Sequence, residues 1–208
     1  MSLLGSLFGP SKEEVWAQVA QDIGGDFESG GFWQGSVLRY QHGPWELLLD
    51  TYATTNHSTS NEHDTQTFTR MRAPFVNQSR FRFEIYRAGL FSLMASWLGA
   101  QDIVIGDRFF DDDYVIRGNH EEQVRNLLAS EELRRLIRVQ PNIHFKVIDY
   151  EGFFFKKYPA NVDALYFETY GVITEFRLVK NLFEMFTLTL DRLVKIGSAA
   201  DRDPGVNL

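Results

Sequence analysis

The chain has 208 residues, 44% of them hydrophobic and 14% aromatic, which is enough to bury one substantial core. A net charge of −7 argues against general nucleic-acid binding, because neutralising phosphates takes surplus Lys and Arg. The absence of cysteine excludes disulfides, thiolate catalysis, Cys-ligated zinc and iron–sulfur clusters, and it suits a reducing cytoplasm.

Met1–Phe8 is an apolar arm, and Met1–Pro10 lacks the basic n-region of a signal peptide and has too short an apolar run for one. The longest later apolar stretches, Leu90–Leu98 and Val179–Leu190, fall short of the ~20 residues that span a membrane. The expected organisation is an arm over 1–10, a single domain over 11–197 and a flexible tail over 198–208.

Ser11 and Glu14 form a capping box, and Val15, Trp16, Val19 and Ile23 make one apolar stripe before Gly24-Gly25 ends the helix. Ser36–His42 and Trp45–Ala53 read as strands joined by a tight Gly43-Pro44 turn. Thr54–Gln66 is almost without apolar residues and reads as an exposed loop or hairpin tip. Thr67–Ala73 and Arg80–Arg87 alternate as strands, with a hairpin through Pro74–Ser79 as one pairing. Ala88–Leu98 is apolar without alternation and reads as a buried helix.

Ile103–Ile105 and Tyr114–Arg117 are short strands flanking an acidic turn at Asp111–Asp113. Asn119 with Glu122, and Ser130 with Glu131 and Glu132, mark two helix starts, the second carrying arginines toward its end. Ile143–Tyr150, Phe153–Lys157 and Ala164–Thr169 are further strands. A long helix from about Glu175 to Ile196 puts Phe176, Val179, Leu182, Phe183, Phe186, Leu190, Leu193 and Val194 on its inner face. Strands come in runs broken by helices without regular βαβ alternation. The expected fold is therefore α+β, a mainly antiparallel sheet packed against helices.

Phe110–Arg138 carries a phenylalanine–aspartate turn, then Val115-Ile116-Arg117-Gly118-Asn119, the pair Leu127-Leu128, and Leu133-Arg134-Arg135-Leu136. This pattern resembles a segment of uncharacterised bacterial domain-of-unknown-function proteins. The resemblance implies a bacterial origin and a shared fold element, and it brings no activity, cofactor or catalytic residue.

Arginine placement is the most chemical feature. Alternation sets Thr69, Met71, Phe81, Phe83 and Ile85 on one face and Arg70, Arg72, Arg80, Arg82 and Glu84 on the other. Like charges on neighbouring strands need neutralising, either by ion pairs with Glu84, Glu46 or Asp50, or by an anionic ligand held in guanidinium forks. Arg70, Arg72, Arg80 and Arg82 are thus the candidate anion-binding residues.

Other clusters read as structural. Asp111-Asp112-Asp113 lacks calcium-loop spacing and reads as a solvated turn. His57, Glu62, His63 and Asp64 share a polar loop with nothing to pre-organise them, and no metal site or cofactor is expected. His42, His120 and His144 have no sequence-near partner, and Trp33, Tyr40, Trp45 and Tyr52 read as core packing before a ligand cleft. Phe153-Phe154-Phe155 beside Lys156-Lys157 reads as a buried strand, with a membrane-surface or protein-binding patch as its functional counterpart.

There is no GxSxG elbow, HExxH, P-loop or GxGxxG ahead of a suitable helix. The sequence therefore favours a soluble, cytoplasmic, non-catalytic module that binds a small anionic ligand or a protein partner. Two alternatives stand beside it. One is a hydrolase-like enzyme taking acid/base groups from Glu84, Asp50, Glu46 or a lone His. The other is a peripheral membrane or complex subunit engaged through Met1–Phe8 or Phe153–Tyr158. The apolar face of the last helix suits the sheet of its own subunit or, in a homo-oligomer, that of a second copy.

Overall fold

The computed structural model describes residues 10–31, 35–57, 63–89, 102–151, 156–206 and 208, and at 56–57, 63–64, 151 and 156 the backbone alone. In chain order the elements are α1 (Lys12–Ile23), β1 (Asp26–Glu28), β2 (Val37–His42), β3 (Trp45–His57), β4 (His63–Asn77) and β5 (Phe83–Arg87). There follow α2 (Arg108–Asp113), β6 (Tyr114–Gly118), α3 (Glu121–Leu128), α4 (Glu131–Val139), β7 (His144–Ile148), β8 (Tyr150–Glu151) and β9 (Lys156–Lys157). The chain ends with β10 (Val162–Tyr170), α5 (Phe176–Lys195) and β11 (Ala199–Ala200).

Strand alternation builds the core. Leu38, Leu49, Met71, Phe167, Phe145, Ile85 and Ile116 stand opposite one another in a continuous apolar row across β2, β3, β4, β10, β7, β5 and β6. Every member is buried. Val19 of α1, Leu127 of α3, Leu136 of α4 and Phe186 of α5 belong to the same cluster, so the helices cover this face. Each such side chain adds roughly 1.5–3 kcal/mol over its exposed state.

Among the described residues nine strands form one antiparallel sheet, in the order β1-β2-β3-β4-β10-β7-β5-β6 with β11 beside β4. This is the expected α+β architecture with its long C-terminal helix. No helix among the described residues is long and apolar enough to cross a membrane.

The caps expected for α1 and α4 are present. Ser11 and Glu14 form both halves of the capping box, Gly24 closes α1 at φ 74°, and Ser130 accepts the Leu133 amide. The inner face of α5 also takes in Met185 and Thr189; the Thr189 hydroxyl satisfies itself by donating to the Met185 carbonyl at 2.6 Å.

Longer-range readings change. β4 and β5 do not form a hairpin, because both edges of β4 are taken, by β3 and β10, and β5 crosses over to lie between β7 and β6. β4 runs through Pro74, which lies beyond the last β3 pair, Leu48 with Arg72, so its missing N–H removes no bond to β3. The polar Thr54–Gln66 stretch is the outer end of the β3–β4 hairpin, one of its two expected forms, with strand pairing as far out as His57 with His63 and residues 58–62 outside the described residues. Ile103–Ile105 is not a strand, although the Ile103 amide reaches the Ile116 carbonyl at 2.7 Å. The acidic turn is the end of α2, whose N-cap is Asp107. Past α5, Ala199–Ala200 pairs with β4, and Val206 and Leu208 pack on a second small cluster around Tyr158 and Tyr166. Met1–Phe8, Trp33, residues 90–98 of the stretch expected to be a helix, and Phe153–Phe155 lie outside the described residues.

Candidate functional site

The sheet face opposite the helices is built from the alternate positions, and it is charged. One row carries Asp50, Arg70, Glu168, His144 and Tyr86 across β3, β4, β10, β7 and β5. The adjoining row carries Arg72, Tyr166, Lys146, Glu84 and Arg117 across β4, β10, β7, β5 and β6. Opposite signs therefore meet both along and between the rows.

Asp50 takes both arginines of β4. Arg70 grips it through Nε at 2.8 Å and Nη2 at 2.5 Å, and Arg72 Nη2 adds a contact at 3.0 Å. The Arg70 guanidinium also lies over the Tyr52 ring, 5.0 Å from its centroid. Asp50 thus gives both arginines of this half an ion-pair partner, while Arg72 Nε stays buried without a hydrogen-bond partner among the described residues.

The centre of the face is a chain of three buried titratable groups. His144 places Nε2 2.7 Å from Glu84 Oε1 and Nδ1 3.0 Å from Glu168 Oε1. Each ring nitrogen thus faces one carboxylate oxygen, and which atom donates follows the imidazole's tautomer. The other Glu168 oxygen accepts the Tyr52 hydroxyl at 2.7 Å and the Tyr166 hydroxyl at 2.9 Å. Burial pushes the Glu168 carboxyl up, but the His144 hydrogen bond, the Lys146 charge and the Tyr52 hydroxyl outweigh it and hold it down at about 2. Burial and the Glu168 charge push the Tyr52 and Tyr166 phenols up, so both remain donors. Glu84 Oε2 is buried and without a hydrogen-bond partner among the described residues.

Beyond this network, past the paired ends of β5 and β7, opens a cleft of about 520 Å³. Arg80, Arg82 and Lys157 line it, with Asp149, Asp163, Asn77, Asn119 and Asn161. A smaller space of about 200 Å³ adjoins it, sharing Arg82 and Asp149 and reaching Glu84 and Lys146.

Two asparagines set the cleft's shape. Asn77 clamps Phe81, donating to its carbonyl at 2.9 Å and accepting its amide at 3.0 Å. Asn119 accepts the Arg82 amide at 2.8 Å and donates to the Arg80 carbonyl at 2.7 Å. Asn119 is therefore not the cap of α3; His120 holds that position without a side-chain bond, because the Asn119 amide is occupied by the neighbouring turn. The clamp holds Arg80 at φ 55°, a left-handed conformation that costs a non-glycine residue roughly 1 kcal/mol.

Arg82 is shared by two carboxylates, Asp149 at 3.0 Å and Asp163 at 3.6 Å. Asp163 also accepts from Asn77 at 2.6 Å. Burial, and less strongly the Asp149 charge, push the Asp163 carboxyl up against the opposing Asn77 hydrogen bond and Arg82 charge. Burial acts the same way on Asp149, where the Arg82 hydrogen bond and charge, joined by Lys157, prevail and lower it. Arg80 is exposed and has no ion pair among the described residues.

The four arginines thus separate into two pairs. Arg70 and Arg72 sit on Asp50 in mid-sheet, whereas Arg80 and Arg82 border the cleft. Of the acid/base candidates, Glu84 is joined to His144, and Asp50 serves the arginines. Glu46 lies 3.9 Å from Arg39. His42 contacts Asp191 at 2.8 Å, tying the β2–β3 hairpin to α5. Trp45 is core, and Tyr40 packs edge-on against Phe183. No group of His, Asp and Glu among the described residues is arranged to hold a metal ion. Glu168, Lys146, Asp149, Asp163 and Asn161 escaped the sequence reading; alternation along β7 and β10 was the available signal for the first two. Comparison with protein-family models, with curated proteins and with solved structures finds no match for this chain.

Proposed function

We propose that this protein is a non-catalytic ligand-binding module whose cleft takes a small anionic group, a phosphate or a carboxylate. The observation that carries the reading is Arg80: it lines the cleft with no carboxylate partner among the described residues, on a backbone held in a left-handed conformation by Asn119. Strain maintained by specific side-chain bonds is most readily understood where a side chain has to be presented. Arg82 and Lys157 add two further cations to the same walls. A volume of about 520 Å³ falls within the range of small-molecule sites.

The alternative acid/base enzyme has one observation in its favour, the 2.7 Å contact of Glu84 with His144. Both side chains are only 2% exposed and occupied with each other, which suits a structural network better than proton transfer to a substrate.

Isothermal titration of the whole chain with inorganic phosphate and with acetate tests the binding reading. Saturable binding of either to the wild type, weakened at least tenfold in Arg80→Ala and unchanged in Arg70→Ala, is expected. Binding of neither, or equal binding to Arg80→Ala, removes the proposal.

A further inference from the structure

We infer that the ligand of this cleft is a zwitterion, with its anionic end on Arg80 and Lys157 and an ammonium end on Asp163 and Asp149. The inference rests on the anion-binding reading above and narrows its ligand class.

The walls carry unbalanced charge of both signs. Asp149 and Asp163 share a single guanidinium, that of Arg82, and Asp163 stands 3.6 Å from it, beyond hydrogen-bond length. Asp163 Oδ2 is occupied by Asn77, while its Oδ1 has, among the described residues, only that long Arg82 contact. Arg80 has no ion pair among the described residues, and neither has Lys157, whose charge is felt by Asp149. The cleft therefore presents an acidic pole around one shared arginine and a basic pole at its rim.

A simple anion drawn to Arg82 would meet two carboxylates already in place, and it would be repelled by them. An ammonium group carried on the same molecule turns that repulsion into attraction and gives Asp163 the charge-assisted partner it lacks. The acidic pole thus selects against plain anions while the basic pole attracts the anionic end, a division of labour typical of specific sites. The elevated Asp163 carboxyl agrees with this, since a group that burial disfavours as an anion gains most from a neighbouring cation.

The test compares isosteric probes on the whole chain by isothermal titration: O-phosphoethanolamine against propyl phosphate, and β-alanine against butyrate. In each pair an ammonium replaces a methyl group. The expected result is at least tenfold tighter binding of the zwitterion in one pair, reduced to within twofold by Asp163→Asn. That variant keeps the side-chain shape and the Asn77 contact, and its thermal melt reports whether it folds. Equal affinity within both pairs overturns the zwitterion while leaving the anion site standing. Tighter binding that survives in folded Asp163→Asn also overturns it. Should the variant not fold, the wild-type comparison decides alone. Binding of no probe removes both readings.

Discussion

His144 Nδ1 lies 3.0 Å from Glu168 Oε1, across the β7–β10 pairing, in the middle of a charged sheet face. The Glu168 carboxyl sits at about 2 against an ordinary 4.5, so the folded chain holds this proton less tightly than the unfolded chain. The resulting stabilisation is fully present above the unfolded value and is lost as pH falls toward the folded one. Its size is on the order of 3 kcal/mol. Urea unfolding measured from about pH 6 down to about pH 2 is expected to show that loss, and Glu168→Gln is expected to flatten the slope. An unchanged slope in the variant would place the acid sensitivity elsewhere.

Asp50 pairs with two guanidiniums, and if either arginine is deleted the other keeps Asp50 as its partner. The three side chains are between 12% and 15% exposed, so water compensates poorly for a lost charge. Asp50→Ala leaves two like charges unpaired and is expected to cost about 3 kcal/mol, more than Arg70→Ala or Arg72→Ala. Urea unfolding at neutral pH ranks the three; an Asp50→Ala cost no greater than that of either arginine variant would show that the pairing contributes little.

What was legible in the sequence depended on how far apart the interacting residues lie. The Ser11–Glu14 box is closed within one turn, and the sorting of Met71 from Arg70 and Arg72 follows from strand alternation alone. The partners of His144 are different: Glu84 is 60 residues away and Glu168 is 24. Only the strand order β10-β7-β5 brings them to the two nitrogens of one ring, and no local periodicity encodes that order. Asn119 illustrates a second limit. Its position is right for a helix cap, yet the Arg80–Arg82 backbone offers its amide two bonds at once, and that tertiary contact wins.

Conformation and charge at Arg80 can be separated. At φ 55° glycine fits without the strain a side chain brings, so Arg80→Gly is expected to be more stable than Arg80→Ala by about 1 kcal/mol. If the guanidinium is what the ligand contacts, both variants lose phosphate affinity alike. Thermal melts and phosphate titrations read the two effects independently, and retained affinity in Arg80→Gly would remove Arg80 from the site.

Gly118 is where the cleft's clamp meets the helical layer. A Cβ there would stand 2.6 Å from Val124 Cγ2 and 2.9 Å from the Arg82 carbonyl oxygen. Val124 is fully buried on α3, while the Arg82 carbonyl accepts the backbone N–H of Asn119 at 3.2 Å. Gly118→Ala must therefore displace either α3 or the turn that presents Arg80 and Arg82. Overpacking of this kind costs about 1–3 kcal/mol. The expected outcome is a lowered melting temperature together with weakened phosphate binding. Gly31→Ala, where an added Cβ meets nothing within 4 Å, serves as the control and should change neither. A Gly118→Ala protein that melts earlier but binds phosphate as before would show that the clamp is dispensable for the site.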